Sequence, residues 1–164
     1  MNWLQKNLDS RRIFVETLNE LAKTDDKIIV LIPDVGFNYL NDPNLNFKVI
    51  NTGVTEQSTI MIAVGLALSG YKPWVYSMIN FVLFRPYEMI RNGIVHHHAN
   101  VKLLGVQGGP SYKMLGFSHN LDGPEEDLRV CRNLKLQFQV PSLEEVKDTI
   151  IDAYKSDKPV YIRL

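Results

Sequence analysis

Two kinds of hydrophobic run alternate along this chain. Short β-branched stretches recur between longer ones in which apolar residues return every three or four positions. That alternation predicts an α/β fold with a largely parallel sheet of about six strands. The first helix is expected to open at Asp9 or Ser10 and run to about Lys23, with Ile13, Phe14, Thr17, Leu18 and Leu21 on one face. Strands follow at 28–32, stopped by Pro33, and at 47–51. The segment 55–69 is apolar almost all round, which predicts a central helix covered on several sides, with Gly70 as its C-cap. A strand at 73–77, a helix over 84–97 and a strand at 101–106 come next. Residues 107–120 carry Gly108, Gly109, Pro110, Ser111, Gly116 and Ser118, the composition of a long loop. Helix 124–133, strand 136–140, a helix opened by a Ser142/Glu145 capping box and strand 159–164 complete the pattern. The 164 residues are expected to form a single domain, 1–164.

Charge narrows the partners. Eighteen Lys and Arg balance eighteen Asp and Glu, with no block of one sign. Nucleic acid is therefore not the expected partner, since phosphate binding needs a basic footprint. The longest apolar stretch, 60–68, is interrupted by Gly65 and is shorter than the roughly 20 residues a bilayer demands. One cysteine, Cys131, cannot form a disulfide within the chain. With no apolar signal core at the start, a soluble cytoplasmic protein without membrane contact is expected.

Common chemical motifs are missing. No G-x-x-x-x-G-K-[ST], G-x-G-x-x-G or Gly-x-Ser-x-Gly occurs. His96, His97 and His98 are consecutive, so on a helix they point different ways and do not form an i, i+4 metal pair. Basic residues at a helix C-terminus are the simpler reading.

The stretch Asn51-Thr52-Gly53-Val54-Thr55-Glu56-Gln57, leading into Ala63-Val64-Gly65-Leu66-Ala67-Leu68-Ser69-Gly70, resembles the pyrimidine-binding domain of transketolases. The likeness continues through Pro73-Trp74-Val75-Tyr76-Ser77, Phe81, and the run from Arg85 to Asn92. It then takes in the loop from Gly108 to His119, Leu128-Arg129 and the ending Pro159–Leu164. The ordered set carries the resemblance; one Gly-Val-x-Glu-Gln would be weak. It implies a three-layer α/β/α thiamine diphosphate-binding fold and a two-carbon ketol transfer between sugars.

The resemblance also implies roles. The glutamate matching Glu56 hydrogen-bonds N1′ of the cofactor aminopyrimidine, turning its 4′-amino group into an internal base beside C2 of the thiazolium. Glu56 stands in the first turn of its helix, where the dipole favours negative charge, which suits a charge-assisted bond. Taken alone, such a glutamate does no more than stabilise its helix. Phe81 matches the aromatic platform under the pyrimidine, and Met78, Phe84 and Tyr87 are candidates for the pocket wall. Asp34, just past the first strand, matches an aspartate near the cofactor, although a turn-forming role explains it equally. His119 matches a histidine that contacts substrate and assists proton transfer. Gln107 stands where many relatives have another histidine, and Ser111 is a further substrate candidate. Ordinary transketolases carry a Glu-Asp pair where Met114 and Leu115 stand here, which points away from an ordinary ketose phosphate. The loop looks instead like those of split transketolase-like proteins of unusual-sugar or cell-surface polysaccharide synthesis.

Relatives hold the cofactor diphosphate through Mg²⁺ with Gly-Asp-Gly and a downstream Asn. Here the only Asp-Gly is Asp122-Gly123, after leucine. The metal site and a third, C-terminal domain are therefore expected outside this chain. The resemblance implies a diphosphate-binding partner subunit in an α2β2 assembly, with a homodimer possible for the chain alone. The competing readings are a non-catalytic assembly subunit, a 1-deoxyxylulose-5-phosphate synthase-like subunit, or a 2-oxoacid dehydrogenase beta-like subunit.

Overall fold

The computed structural model describes residues 3–34, 38–106 and 114–164. Strands β1 (Ile28–Ile32), β2 (Lys48–Asn51), β3 (Lys72–Met78), β4 (Lys102–Val106), β5 (Gln137–Gln139) and β6 (Val160–Arg163) form one sheet in the order β2-β1-β3-β4-β6-β5. Every pairing is parallel. Side chains alternate across β1 and β3, and the core divides accordingly. Ile28, Val30, Trp74 and Tyr76 pack with Phe14 and Leu18 of helix α1 (Trp3–Ala22) and Ile150 of α5 (Val146–Lys155). Ile29, Leu31 and Val75 pack on the other face with Ile60 and Ala63 of α2 (Glu56–Leu68) and Cys131 of α4 (Glu126–Leu134). The result is the expected three-layer α/β/α architecture, with a sheet buried on both faces.

Four expectations need correction. Helix α1 opens at Trp3, ahead of Asp9, which instead pairs with Arg12 one turn on at 3.9 Å. A cap-type residue does not start a helix whose chain is already helical before it. Helix α5 begins at Val146; only half of the capping box forms, the Glu145 carboxylate accepting the Ser142 N–H at 2.8 Å.

The segment expected as one helix over 84–97 starts earlier and is wider. Residues Asn80–Phe84 and Ile90–Val95 are π-helical, flanking the short helix α3 (Tyr87–Met89). Arg85 N–H bonds the Asn80 carbonyl at 3.1 Å and His96 N–H bonds that of Arg91 at 3.1 Å, both i→i+5. Pro86, with no N–H to give, sits between the two. Such bulges collect at functional sites.

Helix α2 is covered on one side only. Ile60, Ala63 and Val64 are buried, whereas Met61, Ile62 and Leu68 remain 45%, 43% and 63% exposed. Among the described residues, no helix is long and apolar enough to cross a membrane.

Candidate active site

Chain direction reverses across the sheet at β1 and β3: β1 leads outward to β2, and β3 leads the other way to β4. In open parallel sheets the crevice at the carboxyl ends beside such a switch gathers ligands. Asp34 follows β1, Glu56 follows β2, and Asn80 and Phe81 follow β3.

The turn from β2 into α2 is pinned at several points. Asn51 Oδ1 accepts the N–H groups of Asp34 at 3.2 Å and Gly53 at 2.9 Å. Gly53 adopts φ 71°, a left-handed conformation that suits glycine. The hydroxyls of Thr52 and Thr59 lie 2.6 Å apart, and Thr55 Oγ1 donates to the Thr52 carbonyl at 2.9 Å. Those bonds set the first residue of α2, Glu56, into the protein; it is only 5% exposed.

Glu56 does not stand alone. Arg85 Nη1 donates to its Oε1 at 2.5 Å. The same guanidinium lies over the Phe81 ring, 4.0 Å from the ring centre. Phe81 in turn meets the His119 imidazole edge-on, with centres 5.0 Å apart, and Ser118 Oγ is 2.9 Å from His119 Nδ1. The order is Glu56, Arg85, Phe81, His119, Ser118. Beside it opens a cleft of about 310 Å³ lined by Asn80, Phe84, Arg85, Ser118, Asp122 and Glu126, among others. Asn80 Nδ2 donates to the Asn120 carbonyl at 3.1 Å, while its buried Oδ1 has no partner among the described residues.

Glu56, Phe81 and His119 are thus brought together. Phe84 lines the neighbouring cleft. Met78 ends β3, half-buried, two residues before Asn80. Asp34 is exposed with φ 55°, a turn conformation held through its backbone N–H. Tyr87 is 39% exposed. Gln107 and Ser111 lie outside the described residues. Sequence reasoning missed Arg85; its signal was a cation four positions after Phe81, the spacing that brings two side chains together on a helix.

His96, His97 and His98 are exposed, and among the described residues no three His, Cys, Asp or Glu side chains form a metal-binding group. Cys131 is fully buried, and burial pushes its thiol up to about 12, the setting of a packed rather than a reactive cysteine.

A buried carboxylate beside an aromatic face, with a histidine at the ring edge, suits a flat, cationic heteroaromatic ring. The chain belongs to the transketolase family, its residues 6–164 matching the domain described as "Transketolase, pyrimidine binding domain". It is 31% identical to an apulose-4-phosphate transketolase subunit of Phocaeicola vulgatus over 162 residues, covering 94% of this chain and 50% of that protein. It is 26% identical to a 6-deoxy-6-sulfo-D-fructose transketolase subunit of a Clostridium species, covering 94% of this chain and 48% of that one. A solved structure described as "Split gene transketolase, inactive beta4 tetramer" superposes with a TM-score of 0.79 at 30% identity, covering 94% of this chain and 50% of that one. The chain spans about half the length of these relatives.

Proposed function

We propose that this chain supplies the pyrimidine-binding half of a split, thiamine diphosphate-dependent transketolase-like enzyme that moves a two-carbon ketol unit between sugars. The observation that carries this reading is the buried Glu56 carboxylate beside the Phe81–His119 pair, at the mouth of a parallel sheet. These residues fit the cofactor. A carboxylate is required to hold N1′ of the aminopyrimidine, and an aromatic face is required beneath the ring. When bound, thiamine diphosphate supplies the nucleophilic carbon that attacks the sugar carbonyl.

The protein's own residues then divide the work. Glu56 holds the proton at N1′, in a low-exposure position where a charge-assisted bond is strong. Phe81 carries the ring, with Met78 and Phe84 closing the wall and Asp34 at the crevice rim. His119, oriented by Ser118, gives or takes a proton at the substrate oxygen. Gln107 and Ser111 contact the sugar. Magnesium and the diphosphate are held by a partner subunit, in an assembly seated on the open face of α2. The names of the relatives, an apulose-4-phosphate and a sulfofructose transketolase subunit, support a phosphorylated or sulfonated sugar over an unmodified one.

The test is ketol transfer by the complex of this chain with its diphosphate-binding partner, thiamine diphosphate and Mg²⁺. Glu56→Ala is expected to lower the rate by about 100-fold or more, the scale of a lost proton-transfer group. Transfer that survives this substitution refutes the assignment.

A further inference from the structure

We propose that Arg85 is a self-ligand: its guanidinium occupies the place of the aminopyrimidine ring and must leave before the ring can enter. The inference rests on the proposed role of Glu56 and Phe81 and adds a competitor for both.

The geometry carries it. A protonated aminopyrimidine would need two things here, a carboxylate to receive its N–H and an aromatic face to lie against. Arg85 already uses both, donating to Glu56 Oε1 at 2.5 Å and lying 4.0 Å from the centre of Phe81. A guanidinium is flat, cationic and rich in N–H donors, so it mimics the ring on each count. A residue that merely braced Glu56 from behind would not cover Phe81 as well.

Arg85 also has open space on its outer side. Its side chain is 42% exposed against 6% for Glu56. It projects from the junction of a π turn and Pro86, where the helical ladder is already broken. A destination lies next to it: Arg85 lines a cleft of about 310 Å³ together with Asp122 and Glu126. A guanidinium swung into that cleft would exchange Glu56 and Phe81 for the neighbourhood of two acidic residues, Asp122 and Glu126. The swing would also fill the cleft beside His119, coupling ring entry to the shape of the substrate approach.

The test titrates the full chain with 4-amino-5-hydroxymethyl-2-methylpyrimidine, the pyrimidine half of thiamine, and follows NMR signals of Phe81, His119 and the Arg85 side chain. Arg85→Met should bind the ring about ten-fold more tightly than wild type, the combined size of a half-exposed ion pair and a cation–π contact. In wild type, added ring should shift the Arg85 Nε–H signal away from its Glu56-bonded position, and Glu56→Gln should produce a comparable shift without any ligand. Equal or weaker binding by Arg85→Met, or an Arg85 signal that does not move while Phe81 does, overturns the self-ligand. If neither protein shows any change at Phe81, or if Glu56→Gln leaves ring binding in Arg85→Met unaltered, the aminopyrimidine site itself is refuted. Thermal unfolding of each variant confirms that it is folded.

Discussion

Tyr161 donates its hydroxyl to Asp127 Oδ2 at 2.7 Å, and neither residue has measurable solvent exposure. The same carboxylate receives Arg163 through Nε at 2.9 Å and Nη2 at 2.5 Å, and Nη2 also reaches the Pro124 carbonyl at 3.0 Å. One buried aspartate thus ties the last strand to the turn that follows the His119 segment. Burial alone would lower the Arg163 affinity for its proton; Asp127 outweighs it and holds the group above its usual range. Asp127→Ala leaves a phenol and a guanidinium without their shared acceptor and is expected to cost about 3–5 kcal/mol. Urea unfolding measures it, and a loss below about 1 kcal/mol would mean the network contributes little.

Gly105 in β4 makes room for the same tyrosine. A Cβ built there would stand 2.5 Å from the Tyr161 hydroxyl and 2.6 Å from its Cε2. The ring is fully buried and cannot yield, so Gly105→Ala is expected to destabilise the fold by about 1–3 kcal/mol. A melting temperature equal to wild type would show that the ring has space to shift.

Lys102 gives the stability a pH dependence. The residue is 3% exposed, and its ammonium faces Asn100 Oδ1 and the carbonyls of Ser156 and Lys158. Burial still pulls it from 10.5 to about 8, with Asp157 opposing. Above pH 8 the folded chain has released a proton that the unfolded chain keeps up to 10.5, so this group's contribution rises with pH across that window. Above 9.0 the Cys131 thiol, held up to about 12 by burial, acts in the opposite sense. Urea midpoints at pH 7.5, 8.5 and 9.5 should therefore show wild type gaining on Lys102→Met as pH rises. A constant difference contradicts the assigned burial effect.

Cys131 offers a probe of opening. With no exposed surface and a suppressed thiolate, it should not react with an aromatic disulfide reagent in the folded protein at pH 8. Reaction should follow the unfolding rate as denaturant is added. Rapid labelling under native conditions would show that α4 opens locally.

The open face of α2 supplies an assembly test. Ile62→Glu and Leu68→Glu lie on exposed positions, so the fold should lose less than about 0.5 kcal/mol. Association with another subunit, read by sedimentation, should be lost. Unchanged association places the contact elsewhere.

Much of the fold was legible in the residues. The strand at 28–32 was placed to the residue, and the helix at 55–69 to within one position at each end, because both are dense in apolar side chains and closed by Pro33 and Gly70. The helix expected at 84–97 differs from the π-helical turns that form on either side of Pro86, because an apolar period of three to four does not register an i→i+5 turn. The 55–69 helix, apolar on every side, announced burial; which side this chain covers depends on where the sheet lies.

Glu56, Phe81 and His119 were named from sequence because each sits in a local motif. Their meeting was decided by the sheet, which sets the ends of β2 and β3 at one edge and returns the 114–120 segment across them. Arg85 illustrates the division. Its charge and its distance of four from Phe81 are written in the chain, but its bond to a carboxylate twenty-nine positions earlier exists only once β1, lying between β2 and β3, holds their two following segments side by side.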